Sequence, residues 1–132
     1  MFYMLQASLS FESSTSLVYT ISKNQNKIMI QIKCSDFEKE VIEAEKMVVV
    51  LFTNEWNGSA IIVEGALDEL QKKWSNKFHF VQLSKDQCQK IGDDYKVHFT
   101  PTILIFKKGK VIEEITGVKS KNTIENILQE TQ

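Results

Sequence analysis

Cys34 and Cys88 are the residues of this 132-residue chain with the most obvious capacity for covalent chemistry. Disulfide exchange needs a thiolate that attacks and a second thiol that resolves the mixed disulfide. The two lie far apart and form no Cys-x-x-Cys. With only His79 and His98 to help, they do not make a four-ligand zinc site. No metal and no cofactor is expected. Both cysteines are expected to behave as small buried hydrophobes. The alternative is Cys88 alone, near a predicted helix start, with a lowered pKa and a redox or modification role. A disulfide between the two is not expected in a reducing compartment. Ser59 also sits near a predicted helix start, but with no base nearby it is read as a cap rather than a nucleophile. His79 alternates with Phe78 and Phe80 along a strand and is expected to be hydrogen-bonded there, whereas His98 reads as a solvated loop residue. Asn57-Gly58-Ser59 fits a glycosylation acceptor pattern, which is short and frequent and is read as coincidental.

From residue 28 onward the pattern alternates between strand and helix. Residues 28–32 form a short β-rich run, and Ser35-Asp36 offers a cap for a helix through Phe37, Val41, Ile42 and Ala44. Residues 47–52 are apolar at every position, as in a strand buried on both faces of a parallel sheet. A polar loop over 53–59 leads to a helix expected to turn Ile62, Ala66, Leu67, Leu70 and Trp74 inward. Residues 78–83 read as the next strand, and Asp86 as the cap of a short helix ending near Tyr95. Strands at 102–106 and 111–115 are joined through Lys107-Lys108-Gly109-Lys110, a hairpin turn. Ser120 caps a last helix with Ile124, Ile127 and Leu128 inward. The series β-α-β-α-β-α-β-β-α implies an α/β fold, a mixed sheet with helices on both faces. Residues 28–132 form that domain. Residues 1–27 read as an N-terminal extension: a leader, a docking arm, or extra strands with 17–21 pairing as a hairpin.

Composition narrows the partners. The net charge is −1 and all sixteen basic residues are lysines, which disfavours nucleic acid. No apolar stretch approaches the ~20 residues that cross a bilayer, so no membrane insertion is expected. The first residues lack a basic n-region, and an intracellular, cytoplasmic location is the expectation.

The thioredoxin family enters through residues 47–132. Val48 to Ala60 resembles the family's strand running into Trp-Cys-Gly-Pro-Cys, with Trp56-Asn57-Gly58-Ser59-Ala60 at the redox loop. Leu67-Asp68-Glu69-Leu70 and Asp86-Gln87 are similar to segments of the second and third helices. Tyr95-Lys96-Val97, then Thr100-Pro101-Thr102 through Phe106 and Gly109, resemble the signals around the family's cis-proline, and Gly117 falls at its site-facing glycine. The landmarks keep their spacing without a gap.

The resemblance implies a thioredoxin fold and places the attacking and resolving cysteines at Asn57 and Ala60, which cannot do that chemistry. The family's buried acid falls at Leu51, its lysine partner at Gln82, and its loop proline at Ser59. The expectation is therefore a redox-inactive, non-enzymatic module that binds or helps assemble proteins, as a subunit of a larger assembly or on an extended peptide. Trp56, Phe99, Thr100, Pro101 and Gly117 are the candidate peptide contacts, with strand addition beside a cis Pro101. The alternative is a single-cysteine thiol redox protein or thioredoxin-like chaperone in cell redox homeostasis.

Overall fold

The computed structural model describes residues 29–54 and 58–132. The expectations for 1–27, Trp56 and Asn57 lie outside the described residues. Five strands form one sheet in the order β1-β3-β2-β4-β5: β1 Ile30–Gln31, β2 Met47–Thr53, β3 Phe78–Ser84, β4 Thr102–Lys107 and β5 Lys110–Thr116. Strands β1, β3 and β2 run parallel, and β4 and β5 are antiparallel to their neighbours.

β2 is central because it is apolar throughout. Its alternating side chains divide between two cores, as the period-2 geometry of a strand demands. Val49 and Leu51 face the Ser59–Trp74 and Lys121–Thr131 helices, while Val48, Val50 and Phe52 face the layer built from residues 34–42 and the Gln89–Asp94 helix. Leu51 is fully buried between Gln82 of β3 and Ile103 of β4 in the sheet register. An apolar side chain there contributes about 1.5–3 kcal/mol of burial.

Several sequence expectations shift locally. The first strand is only two residues long. The expected helix over 35–44 is a 3₁₀ turn at Cys34–Asp36 followed by a π-helical turn at Glu38–Ile42, closed by the Glu43 N–H donating to the Glu38 carbonyl at 2.9 Å. Asp36 does not cap forward; its carboxylate accepts from the Lys33 N–H at 3.4 Å, and the cap falls at Lys33, two residues before Ser35. In the long helix Ile62 is 62% exposed and Val63 fully buried. Both fit a helical period from Ala66 onward, but the face that meets the sheet is Ala60, Val63, Leu67, Leu70 and Trp74, spaced alternately by three and four. Gly58, not Ser59, is that helix's N-cap. Cys88, not Asp86, is the N-cap of the Gln89–Asp94 helix.

The β4–β5 hairpin, the cap of the last helix and the hydrogen bond of His79 follow the expectation. Lys108 and Gly109, at φ 54° and 80°, make the two-residue turn between β4 and β5. Two left-handed residues give the turn whose twist suits a hairpin. The Ser120 side chain accepts from the Thr123 N–H at 3.2 Å and starts the last helix, which buries Ile124 and Leu128. That helix is tied to the long one where Trp74 Nε1 donates to Glu125 Oε2 at 3.0 Å and Lys73 pairs with the same oxygen at 2.6 Å. On the other face, His79 Nε2 and Glu40 Oε1 are 2.9 Å apart, the hydrogen-bonded role expected of His79.

Candidate functional site

Cys34 and Cys88 form a disulfide, with their Cα atoms 5.5 Å apart, a separation within the ordinary range for such bridges. This corrects the expectation of two separate thiols. Parallel pairing explains the meeting. β1 lies beside β3, with Ile30 opposite Val81 and Gln31 opposite Gln82, and the register continues as Ile32 N–H donates to the Gln82 carbonyl at 3.0 Å. Each cysteine follows its strand at the same carboxyl end. A tight turn completes the approach: Cys88 N–H donates to the Ser84 carbonyl at 3.0 Å, and Gln87 N–H to Ser84 Oγ at 3.3 Å. Cys88 is buried and Cys34 partly exposed, its Sγ 3.2 Å from the Gln87 carbonyl oxygen.

An open cleft of about 260 Å³ lies against the exposed side of the bridge. Cys34, Phe37, Ile42, Ile91 and Tyr95 supply much of its lining, with the carboxyl-bearing Glu38 and Asp94 beside them. Tyr95 stacks edge-on with Phe106, and its hydroxyl is held above the usual phenol range, first by burial and then by the charges of Asp94 and Glu38.

The other sequence candidates share this end of the sheet. Phe52 at the end of β2 is opposite Thr102, and Thr102 is opposite Thr116, so the loops around Gly58, Pro101 and Gly117 all leave from one edge. Pro101 and Gly117 are in direct contact: the Gly117 N–H donates to the Pro101 carbonyl at 2.8 Å, with Gly117 at φ 87°. The Thr100–Pro101 peptide bond is cis. Phe99 is 69% exposed, its carbonyl accepting from Thr102 Oγ1 at 2.6 Å. Gly58 is exposed, Ser59 and Thr100 half-buried, and Ala60 and Pro101 buried. Among the described residues no group of His, Cys, Asp and Glu is arranged to hold a metal ion. No described helix is long and apolar enough to cross a membrane.

The fold, the proline–glycine contact and the sheet order agree with the sequence landmarks, and a family model for Thioredoxin matches residues 28–130. The chain belongs to the thioredoxin family. It is similar to the thioredoxin of Griffithsia pacifica, 30% identical over 99 residues that cover 75% of this chain and 91% of that one. Thioredoxin 1 of Nostoc sp. is 27% identical over 99 residues, 75% of this chain and 92% of its own. The thioredoxin of Rickettsia felis is 31% identical over 90 residues, 68% and 86% respectively.

These thioredoxin relatives overturn the expectation of a redox-inactive binding module. Family members are redox catalysts, and in this chain Cys34 and Cys88 are joined by a disulfide. The sequence expectation set the pairing aside on the ground of a reducing compartment. The usable signal was the strand order implied by the family resemblance, which sets β1 beside β3 with a cysteine just past each.

Proposed function

We propose that this chain performs thiol–disulfide exchange in cell redox homeostasis, with Cys34 and Cys88 as the exchanging pair rather than positions 57 and 60. The Cys34–Cys88 bridge at the carboxyl end of the parallel strands, with Cys34 open to an adjacent cleft, is the observation that carries this reading. A donor thiolate attacks Cys34 Sγ, a bond forms between donor and Cys34, and the Cys34–Cys88 bond breaks. Cys88 leaves as a thiolate with the electron pair and takes up a proton. A second donor thiolate then attacks the donor's own sulfur in the mixed disulfide and releases Cys34 as a thiolate, which is protonated in turn. The donor ends as a disulfide and the protein as a dithiol, with two electrons and two protons transferred. In the opposite direction Cys34 is the accessible nucleophile and Cys88 resolves.

The partner in this reading is a protein thiol or disulfide presented on an extended segment. Phe99, exposed beside Thr100 and Pro101 at the same end of the sheet, supports contact along that loop. A couple that must be reduced again after each turnover suits an intracellular setting supplied with thiol donors. Insulin reduction driven by dithiothreitol tests the assignment. The wild-type chain is expected to accelerate it, and Cys34→Ser to remove the acceleration; a wild-type rate equal to the protein-free blank overturns it.

A further inference from the structure

The cleft beside Cys34 has a chemical character that the exchange reaction alone does not require. Its volume of about 260 Å³ lies below the ~300–1,000 Å³ of pockets that enclose a whole small molecule, so it suits one or two side chains of a polypeptide. Phe37, Ile42 and Ile91 make apolar walls, and Glu38 and Asp94 bring carboxylates to the same space. Apolar wall and anionic group together match the aliphatic stem and charged head of a lysine or arginine. Of the opposing charges, Lys33, Lys39 and Lys96 adjoin the lining residues Cys34, Glu38 and Tyr95 in the chain, and Lys90 is ion-paired with a lining carboxylate. It pairs with Asp94 at 3.1 Å but is largely exposed and does not line the cleft, and exposed pairs of this kind neutralise little. Tyr95 registers the local field, since both carboxylates contribute to holding its hydroxyl protonated.

We propose that this cleft selects the substrate by charge: the exchanging partner is a polypeptide cysteine flanked by lysine or arginine, and anionic thiols are disfavoured. The proposal rests on the exchange reading above. An incoming cationic flank places its own cysteine sulfur next to Cys34 as its charge settles against Glu38 and Asp94. A glutamate-flanked thiol approaches against the same field.

Three short reduced peptides test it, with cysteine flanked by two lysines, two serines or two glutamates. Their rates of reducing the Cys34–Cys88 bridge are measured by quench and mass analysis. Each rate is expressed per thiolate and divided by that peptide's rate on a small neutral disulfide, which removes differences in thiol pKa. The lysine peptide is expected to outpace the glutamate peptide by roughly three- to tenfold at low salt, with the ratio collapsing toward one at high salt. Glu38→Gln combined with Asp94→Asn, both at exposed positions, is expected to abolish the ratio, and Lys90→Gln to leave it unchanged or higher. Equal rates for all three peptides overturn the charge selection and leave the exchange reading standing. A lysine preference that survives Glu38→Gln/Asp94→Asn, or falls in Lys90→Gln, overturns the assignment to this cleft. Failure of every peptide to reduce the bridge overturns the exchange reading, and this inference with it.

Discussion

Cys34 and Cys88 stand 54 positions apart in sequence and are joined through their sulfurs, so a single bond closes most of the chain from β1 to the start of the Gln89–Asp94 helix into one loop. A cross-link closing a loop of that length restricts the unfolded chain, typically by about 2–4 kcal/mol of stability. Urea unfolding of the oxidised wild type, the reduced wild type and Cys34→Ser/Cys88→Ser is expected to show the last two less stable by that amount and equal to each other. A double variant as stable as the oxidised protein would sink this account.

The register of the long helix makes a sharp contrast between neighbours. Val63→Ala should cost about 2 kcal/mol, from two lost methyl groups and the space they leave. Ile62→Ala should fall within about 0.5 kcal/mol of wild type, as exposed substitutions do. Thermal or urea denaturation of both decides whether Val63 or Ile62 faces the core.

At the β4–β5 turn, Lys108 occupies a left-handed conformation that asparagine adopts more easily. Lys108→Asn should therefore stabilise by about 0.5–1 kcal/mol. Gly109→Ala goes the other way, by about 1–2 kcal/mol, since φ is 80° and a Cβ would sit 3.2 Å from the Ile42 carbonyl oxygen. Paired melting curves check the opposite signs.

Glu125 supplies a pH dependence. Hydrogen bonds from Lys73 and then Trp74 hold its carboxyl below the usual carboxylate range. A group depressed in the folded state stabilises fully above its unfolded pKa, about 4.3, and loses that contribution as pH falls through the folded value. The stability gap between wild type and Glu125→Gln should thus be constant near neutrality and shrink as pH is lowered below about 4. A gap that stays unchanged into acid would show that the ionised carboxylate is not the source.

Much of the fold was legible because each element carried its own signal. Residues 47–52 could only be a doubly buried strand, Ser120 had a helix to cap, and Lys108-Gly109 had two strands to join. Ile62 and Val63 were harder: they differ by one helical step, and tertiary packing alone selects between them. The 34–42 segment escaped because its turns are set by Asp36 reaching back to Lys33, a contact with no periodicity. The disulfide was missed for a different reason. Its evidence is long-range, visible only when two strand ends are laid side by side, and the expectation of a reducing setting argued against the bond.

The two outer strands determine what the sheet can do in company. Among the described residues β1 offers only Ile30 and Gln31, too short to template another strand. β5 is longer, but a register shift between Ile105 and Phe106 leaves Ile112 unmatched opposite β4, and Glu113 and Glu114 follow it. A strand arriving along that border would meet a broken hydrogen-bond ladder and adjacent negative charge. Among the described residues the sheet stops at five strands, and crowding should not turn these edges into seeds for stacking one copy onto the next.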